Sequence, residues 1–215
     1  MRINKYLALC TGMSRRAADE VIEWGRVQVN GEPINAGYAT QDSDTITLDG
    51  KEIRPAENFT TIILNKPAGY VVSRDGQGSK TIYDLLPEKL HHLKPVGRLD
   101  KASSGLLLLT NDGELANILT HPSYSKNKVY EIELYISLKA EDKQHIEHGV
   151  KLEDGLSKFQ IDGKDKTWTV TMKEGRNRQI RRTFSELGYT IAALHRTQFG
   201  EYVLVGTAPG TFRLV

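Results

Sequence analysis

Apolar residues recur along this chain with periods that change from helix to strand and back. Residues 2–10 place Ile3, Tyr6, Leu7 and Cys10 at i, i+3, i+4 and i+7, one face of a helix that Gly12 ends. Ser14 is the expected N-cap of a second helix over 15–24, with Ala17, Ala18, Val21 and Ile22 inward. Two hairpins follow, one turning at Asn30-Gly31 after Val27-Gln28-Val29, the other at Asp49-Gly50 after Thr45-Ile46-Thr47-Leu48. Lys51 to Thr60 has no clear period and reads as a linker. Thr61–Leu64 then predicts a strand, turned at Asn65-Lys66-Pro67-Ala68-Gly69 and returning over Tyr70–Ser73. Thr81–Leu86 gives one or two helical turns, stopped by Pro87. The leucine run 106–109, before an Asn111-Asp112-Gly113 turn, predicts a buried strand. Glu114–Thr120 and Ala140–His148 predict helices. Val129–Ile136 alternates, with Tyr130, Ile132, Leu134 and Ile136 on one face, and Thr167–Met172 alternates likewise. A last helix runs to Gly188, with Ile180, Phe184 and Leu187 inward. Strands and helices in mixed order predict an α+β chain, divided into residues 1–50, a linker 51–60 and a larger domain 61–215.

Composition changes little in this picture. At 215 residues the chain can hold a medium domain and a small one, and one cysteine permits no internal disulfide, which fits a reducing cytoplasm. Cys10, on an apolar helix face, reads as a small core side chain rather than a reactive thiol. No apolar run approaches a membrane span and no signal peptide is visible, so the expected location is the cytoplasm. The net charge is only +2, but four arginines fall between residues 176 and 182, and Arg15 and Arg16 sit in a first helical turn, where the dipole disfavours cations. Such placement is expected of phosphate contacts. The histidines lack the spacing and company of a zinc site, the glycines of 74–80 do not make a phosphate loop, and no metal or other cofactor is expected.

The sharpest chemical signal is Gly97-Arg98-Leu99-Asp100, running into Ser104-Gly105 and the leucines. It sets one carboxylate at the mouth of a core strand, where a carboxylate becomes a reagent. This segment resembles the catalytic motif of the pseudouridine synthases, within the RsuA-type ribosomal RNA branch, although Ser103 stands where the family often has threonine. Residues 65–69 resemble the family's first motif and Glu174 to Arg182 its third. The front segment resembles the S-four RNA-binding domain through Arg2–Leu7, Ser14–Asp19 and Gly25–Gly31.

The resemblance implies a catalytic domain with a mixed, largely antiparallel sheet flanked by helices. It implies Asp100 as nucleophile, Tyr130 in contact with the target base, by stacking or by moving a proton, and Arg181 paired with Asp100 to keep it ionised. For the front domain it implies RNA contacts at Arg2, Lys5, Ser14, Arg15, Arg16 and Arg26. Arg176, Arg178 and Arg182 are then expected at RNA phosphates. Lys66 is either an RNA backbone contact or a turn cation, and Arg98 either binds substrate RNA or fills the stack that the target base vacates. The expected partner is ribosomal RNA, as naked RNA or an assembly intermediate, met by a monomer. Segments 112–117, 121–123 and 152–155 look more like the large-subunit enzymes than the small-subunit one. A non-catalytic RNA-binding or ribosome-assembly factor is the alternative, but it has no need of Asp100, Tyr130 and Arg181 together.

Overall fold

A computed structural model describes residues 1–55 and 59–215, so Ala56–Asn58 of the expected linker lie outside the described residues. The chain forms two compact units, one of residues 1–60 with 111–113, the other of 61–110 with 114–215.

The front unit packs helices α1 (Ile3–Thr11) and α2 (Arg15–Glu23) with strands β1 (Val27–Val29), β2 (Glu32–Pro33), β3 (Ile46–Leu48) and β4 (Lys51–Glu52), in sheet order β2-β1-β3-β4. Lys51 and Glu52, expected in a linker, pair with Leu48 and Thr47 instead, because the Asp49-Gly50 turn returns the chain along β3. Asn30 and Gly31 both take positive φ, 54° and 85°, the geometry that a two-residue hairpin needs. Ser14 caps α2, its Oγ accepting from the Ala17 N–H at 3.0 Å. The stripes on the two helices and the strands meet in one core of Ile3, Leu7, Ala18, Val21, Ile22, Val27, Val29 and Ile46.

The larger unit is built on a sheet of strands β5 (Thr61–Lys66), β6 (Lys94–Val96), β7 (Ser104–Thr110), β8 (Lys128–Leu134), β11 (Gln160–Lys164), β12 (Thr167–Met172), β13 (Ile191–Phe199), β14 (Tyr202–Val203) and β15 (Phe212–Leu214). A separate hairpin joins β9 (Val150–Leu152) to β10 (Gly155–Ser157). The main path runs β11-β12-β8-β13-β7-β5-β15. Its pairings are antiparallel except that of β13 with β7. Helices α3 (Gly113–Thr120), α4 (Ala140–His148) and α5 (Gln179–Glu186) complete the fold.

The leucine run owes its continuity to burial on both faces of the sheet. Leu107 and Leu109 join the main core, whereas Leu106 and Leu108 join a second cluster with Phe199 and Leu119 on the other face. Gly105, at φ 104°, lets β13 approach: a Cβ there would lie 2.3 Å from the Arg196 carbonyl oxygen. The expected hairpin of β5 with residues 70–73 does not form. Its neighbours are β7 and β15, and Val71 makes one parallel bridge to Thr81. The reason lies in the Gly69 N–H, which donates to the Lys101 carbonyl at 2.7 Å and draws the turn toward the Asp100 loop.

Candidate active site

Asp100 stands on a tight turn just before β7, closed by the Ser103 N–H donating to the Asp100 carbonyl at 3.0 Å. Two cations hold that turn from below. Lys66, fully buried at the end of β5, donates from Nζ to the carbonyls of Ser103 at 2.7 Å, Pro67 at 3.0 Å and Asp100 at 3.2 Å. Burial pushes the Lys66 ammonium down to about 8, against the pull of the Asp100 charge. Of the two roles open to Lys66, contact with RNA is therefore overturned: it is an internal clamp on the loop that carries Asp100.

Arg181 is the second clamp. Its Nη2 donates to the Ala102 carbonyl at 3.1 Å and to Ser103 Oγ at 3.4 Å, and its Nη1 donates to the Ile191 carbonyl at 3.2 Å. Burial lowers its pKa, with the Arg178 charge acting the same way and Asp100 opposing. The ion pair with Asp100 is made by Arg178 instead, Nη1 to Oδ2 at 3.3 Å. The expected Arg181–Asp100 pair is absent among the described residues. Arg178 is the N-cap of α5, in the left-handed region at φ 46°, ψ 30°, and this bend turns its side chain to Asp100. Arg181 lies further into the helix, against carbonyls near the loop and β13.

The bend has its own support. Gln179, 2% exposed, accepts the Arg176 N–H on Oε1 at 3.1 Å and donates from Nε2 to Ser157 Oγ and to Glu174. Arg176 and Arg182, expected at RNA phosphates, are tied to Asp154 at 2.9 Å and 2.7 Å. Arg176 also donates to the Leu156 carbonyl at 2.8 Å, and Arg182 to that of Asn177 at 2.9 Å, so both brace the loop. The Arg182 guanidinium beside Asp154 holds that carboxyl below its ordinary value.

Asp100 and Arg178 open onto a cavity of about 760 Å³ that Arg98, Lys101 and Tyr130 also line. This volume suits one nucleotide. Tyr130 is buried on the inner face of β8, and its hydroxyl makes no hydrogen bond among the described residues. Arg98 is exposed at the rim. The cavity wall also holds Lys128, Arg196 and Phe199, which the sequence reading missed. Arg196 follows Leu194 at i+2, and a cation in the buried register of a strand was the available signal.

In the front unit Arg2, Arg15 and Arg16 are exposed and Lys5 is half-buried. Arg15 donates to Asn4 Oδ1 at 3.3 Å. Arg26 is committed to a bidentate pair with Asp49, at 2.8 Å and 2.6 Å, and the Ser14 hydroxyl to its cap. Cys10, expected in the core, is half-buried and lies outside the core cluster, and burial pushes its thiol up to about 11.

The different duties of two arginines give a clean contrast. Arg178→Ala is expected to leave the melting temperature within about 2 °C, since exposed pairs contribute little, while lowering the catalytic rate about tenfold or more by removing the cation that orients Asp100. Arg181→Met is expected to cost about 2–3 kcal/mol of stability, because it strips donors from partly buried acceptors. Thermal melts and turnover measured on both variants check this.

Residues 60–186 match the family model described as RNA pseudouridylate synthase, and residues 1–46 match the S4 domain model. The chain is 36% identical over 223 residues to an uncharacterised RNA pseudouridine synthase of Aquifex aeolicus (strain VF5), covering 99% of this chain and 89% of that protein. It is 35% identical over 222 residues to ribosomal large subunit pseudouridine synthase B of Bacillus subtilis (strain 168), covering 99% and 91%. A crystal structure of pseudouridylate synthase superposes with a TM-score of 0.74 at 29% identity, covering 100% of this chain and 96% of that one.

Proposed function

The chain belongs to the RNA pseudouridylate synthase family, and from that premise we propose that it isomerises a uridine of large-subunit ribosomal RNA with Asp100 as nucleophile. The observation that carries this reading is the Asp100 carboxylate, paired with Arg178 at 3.3 Å and facing a nucleotide-sized cavity beside Tyr130. The isomerisation exchanges a carbon–nitrogen glycosidic bond for a carbon–carbon bond and needs no oxidant and no energy source. It needs a carboxylate nucleophile held in place, and the Arg178 guanidinium orients Asp100 toward the cavity. It also needs a pocket that retains the detached base. Asp100 attacks the anomeric carbon or carbon 6, or assists elimination, and all three routes use the same ionised group. Tyr130 meets the base on the cavity wall.

A uridine reaches such a cavity only when flipped out of its stack, at a cost of a few kcal/mol. Phosphate contacts offset that cost. Arg98, Lys101 and Arg178 at the rim suit the strand beside the target. Arg2, Lys5, Arg15 and Arg16 of the front unit suit a folded RNA partner, in line with the match to the S4 model. The large-subunit reading is supported by the Bacillus subtilis relative's name. We take the protein to act as a monomer in the cytoplasm, where ribosomal RNA is made and assembled. Among the described residues no helix is long and apolar enough to cross a membrane.

Mapping pseudouridine in total RNA from cells with and without the gene tests the assignment. Loss of a large-subunit site is the expected result. An unchanged map rejects the enzymatic reading, and loss confined to small-subunit RNA rejects the assigned target.

A further inference from the structure

The cavity holds a second group of cations that the chemistry of Asp100 leaves unused. Lys128 opens β8 two residues before Tyr130, so both side chains leave the same face of the strand. Arg196 sits directly across from Tyr130 on β13. It is 2% exposed, donates from Nε to the Leu106 carbonyl at 2.8 Å, and has its Nη2 buried with no hydrogen-bond partner among the described residues. No carboxylate pairs with it among those residues. The guanidinium lies over Phe199, 4.9 Å from the ring centroid, and the Lys128 ammonium lies 5.2 Å from the same ring.

Lys128 is poorly satisfied as well. Its Nζ reaches the Lys173 and Glu174 carbonyls only at 3.5 Å. The nearby Glu174 carboxylate is occupied by Gln179 and by Arg176. Burial, and then the Arg196 charge, lower the Lys128 pKa, with Glu174 opposing in part. Arg196 is buried and Lys128 half-buried, and keeping two cations so close with this little solvation is costly unless negative charge comes to them. A fixed, desolvated cation is also the arrangement that best stabilises charge developing during a reaction.

The isomerisation delivers that charge by any of its routes. When the C1′–N1 bond breaks, both electrons stay with the ring, and uracil becomes an anion shared over N1, O2 and O4. Attack on carbon 6 moves an electron pair onto O4. After attack on C1′, carbon 5 bonds to C1′ as the C1′–Asp100 bond breaks. After attack on carbon 6, the C1′–N1 bond breaks, carbon 5 bonds to C1′ and the C6–Asp100 bond then breaks. In both, carbon 5 loses its proton, N1 gains one and the Asp100 carboxylate is returned, so the sequence balances without a co-reactant. We infer that Lys128 is a further catalytic residue, whose ammonium stabilises the negative charge on the uracil ring, and that Arg196 is a positioning residue which, anchored on the Leu106 carbonyl, packs against the Phe199 ring that Lys128 also meets. This rests on the isomerase reading of the cavity.

Single-turnover tritium release from ribosomal RNA labelled with [5-³H]uridine, taken from cells lacking the gene, tests it alongside RNA binding by the same proteins. Lys128→Met is expected to slow release at saturating RNA about 100-fold, with RNA affinity within threefold of wild type, and Lys128→Arg to restore the rate to within tenfold. Arg196→Met is expected to slow release about tenfold at unchanged affinity, with recovery in Arg196→Lys; if Arg196→Met does not fold, Lys128→Met decides alone. An unchanged saturating rate in Lys128→Met overturns the inference, and so does a loss confined to RNA affinity, which would mark a phosphate contact. A wild-type protein that releases no tritium removes the isomerase reading, and this inference with it.

Discussion

Replacing Lys66 by methionine is expected to destabilise the protein by about 3–5 kcal/mol, the cost of removing one member of a buried charged contact. Methionine fills much of the same volume and removes the cost of burying an ammonium. That gain is outweighed, because the carbonyls of Pro67, Asp100 and Ser103 all lose their donor at once. Each buried acceptor left without a partner costs about 1–3 kcal/mol. For a chain of this size the melting temperature should fall by roughly 8–15 °C. Activity should fall with it at temperatures where the variant stays folded, since two of those carbonyls frame the turn that presents Asp100.

The same residue predicts a pH dependence. The Lys66 ammonium has its pKa lowered to about 8 in the folded state, against about 10.4 in an unfolded chain. Between those values the unfolded state binds more protons, so the contribution of Lys66 to stability rises with pH. Below about pH 8 the penalty for burying the charge is present in full. Denaturant melts of wild type and Lys66→Met should therefore show a stability gap that widens from pH 7.5 to pH 9.5. A constant gap would mean that Lys66 titrates normally in the fold.

The elements legible in the sequence are those where one period ran undisturbed. The helix expected over Ala140–His148 and the strand over Thr167–Met172 are observed at those limits, and the Asn30-Gly31 hairpin declared itself by its turn residues. The leucine run was legible as a strand, although its neighbours were not: pairing of β13 with β7 depends on Gly105 accepting the Arg196 backbone, a long-range fact with no local signature. Residues 70–73 carry a strand-like run that the Gly69–Lys101 hydrogen bond pulls away from β5.

In the site, the motifs brought Asp100, Tyr130 and the arginine segment to one cavity, as their spacing could not have done alone. Which arginine meets the carboxylate is decided by the left-handed backbone at Arg178, and a non-glycine residue gives no warning of that conformation. A dense run of positive charge reads as one RNA-facing patch. The fold divides it, with Arg176 and Arg182 on Asp154, Arg181 on backbone carbonyls and Arg178 on Asp100.

Asp100→Asn carries the largest expected effect on chemistry. Asparagine keeps the size of the side chain, and its carbonyl oxygen can still accept from Arg178. The backbone carbonyl held by Lys66 is untouched. Stability and RNA affinity should therefore stay close to wild type. An amide cannot supply the ionised oxygen that every route of the isomerisation needs, so turnover should fall by a factor of about 10³ or more. The decisive measurement is tritium release from [5-³H]uridine-labelled ribosomal RNA by Asp100→Asn, made on protein already shown by melting and RNA binding to be intact. We predict no release above background. Release at the wild-type rate would contradict Asp100 as the nucleophile.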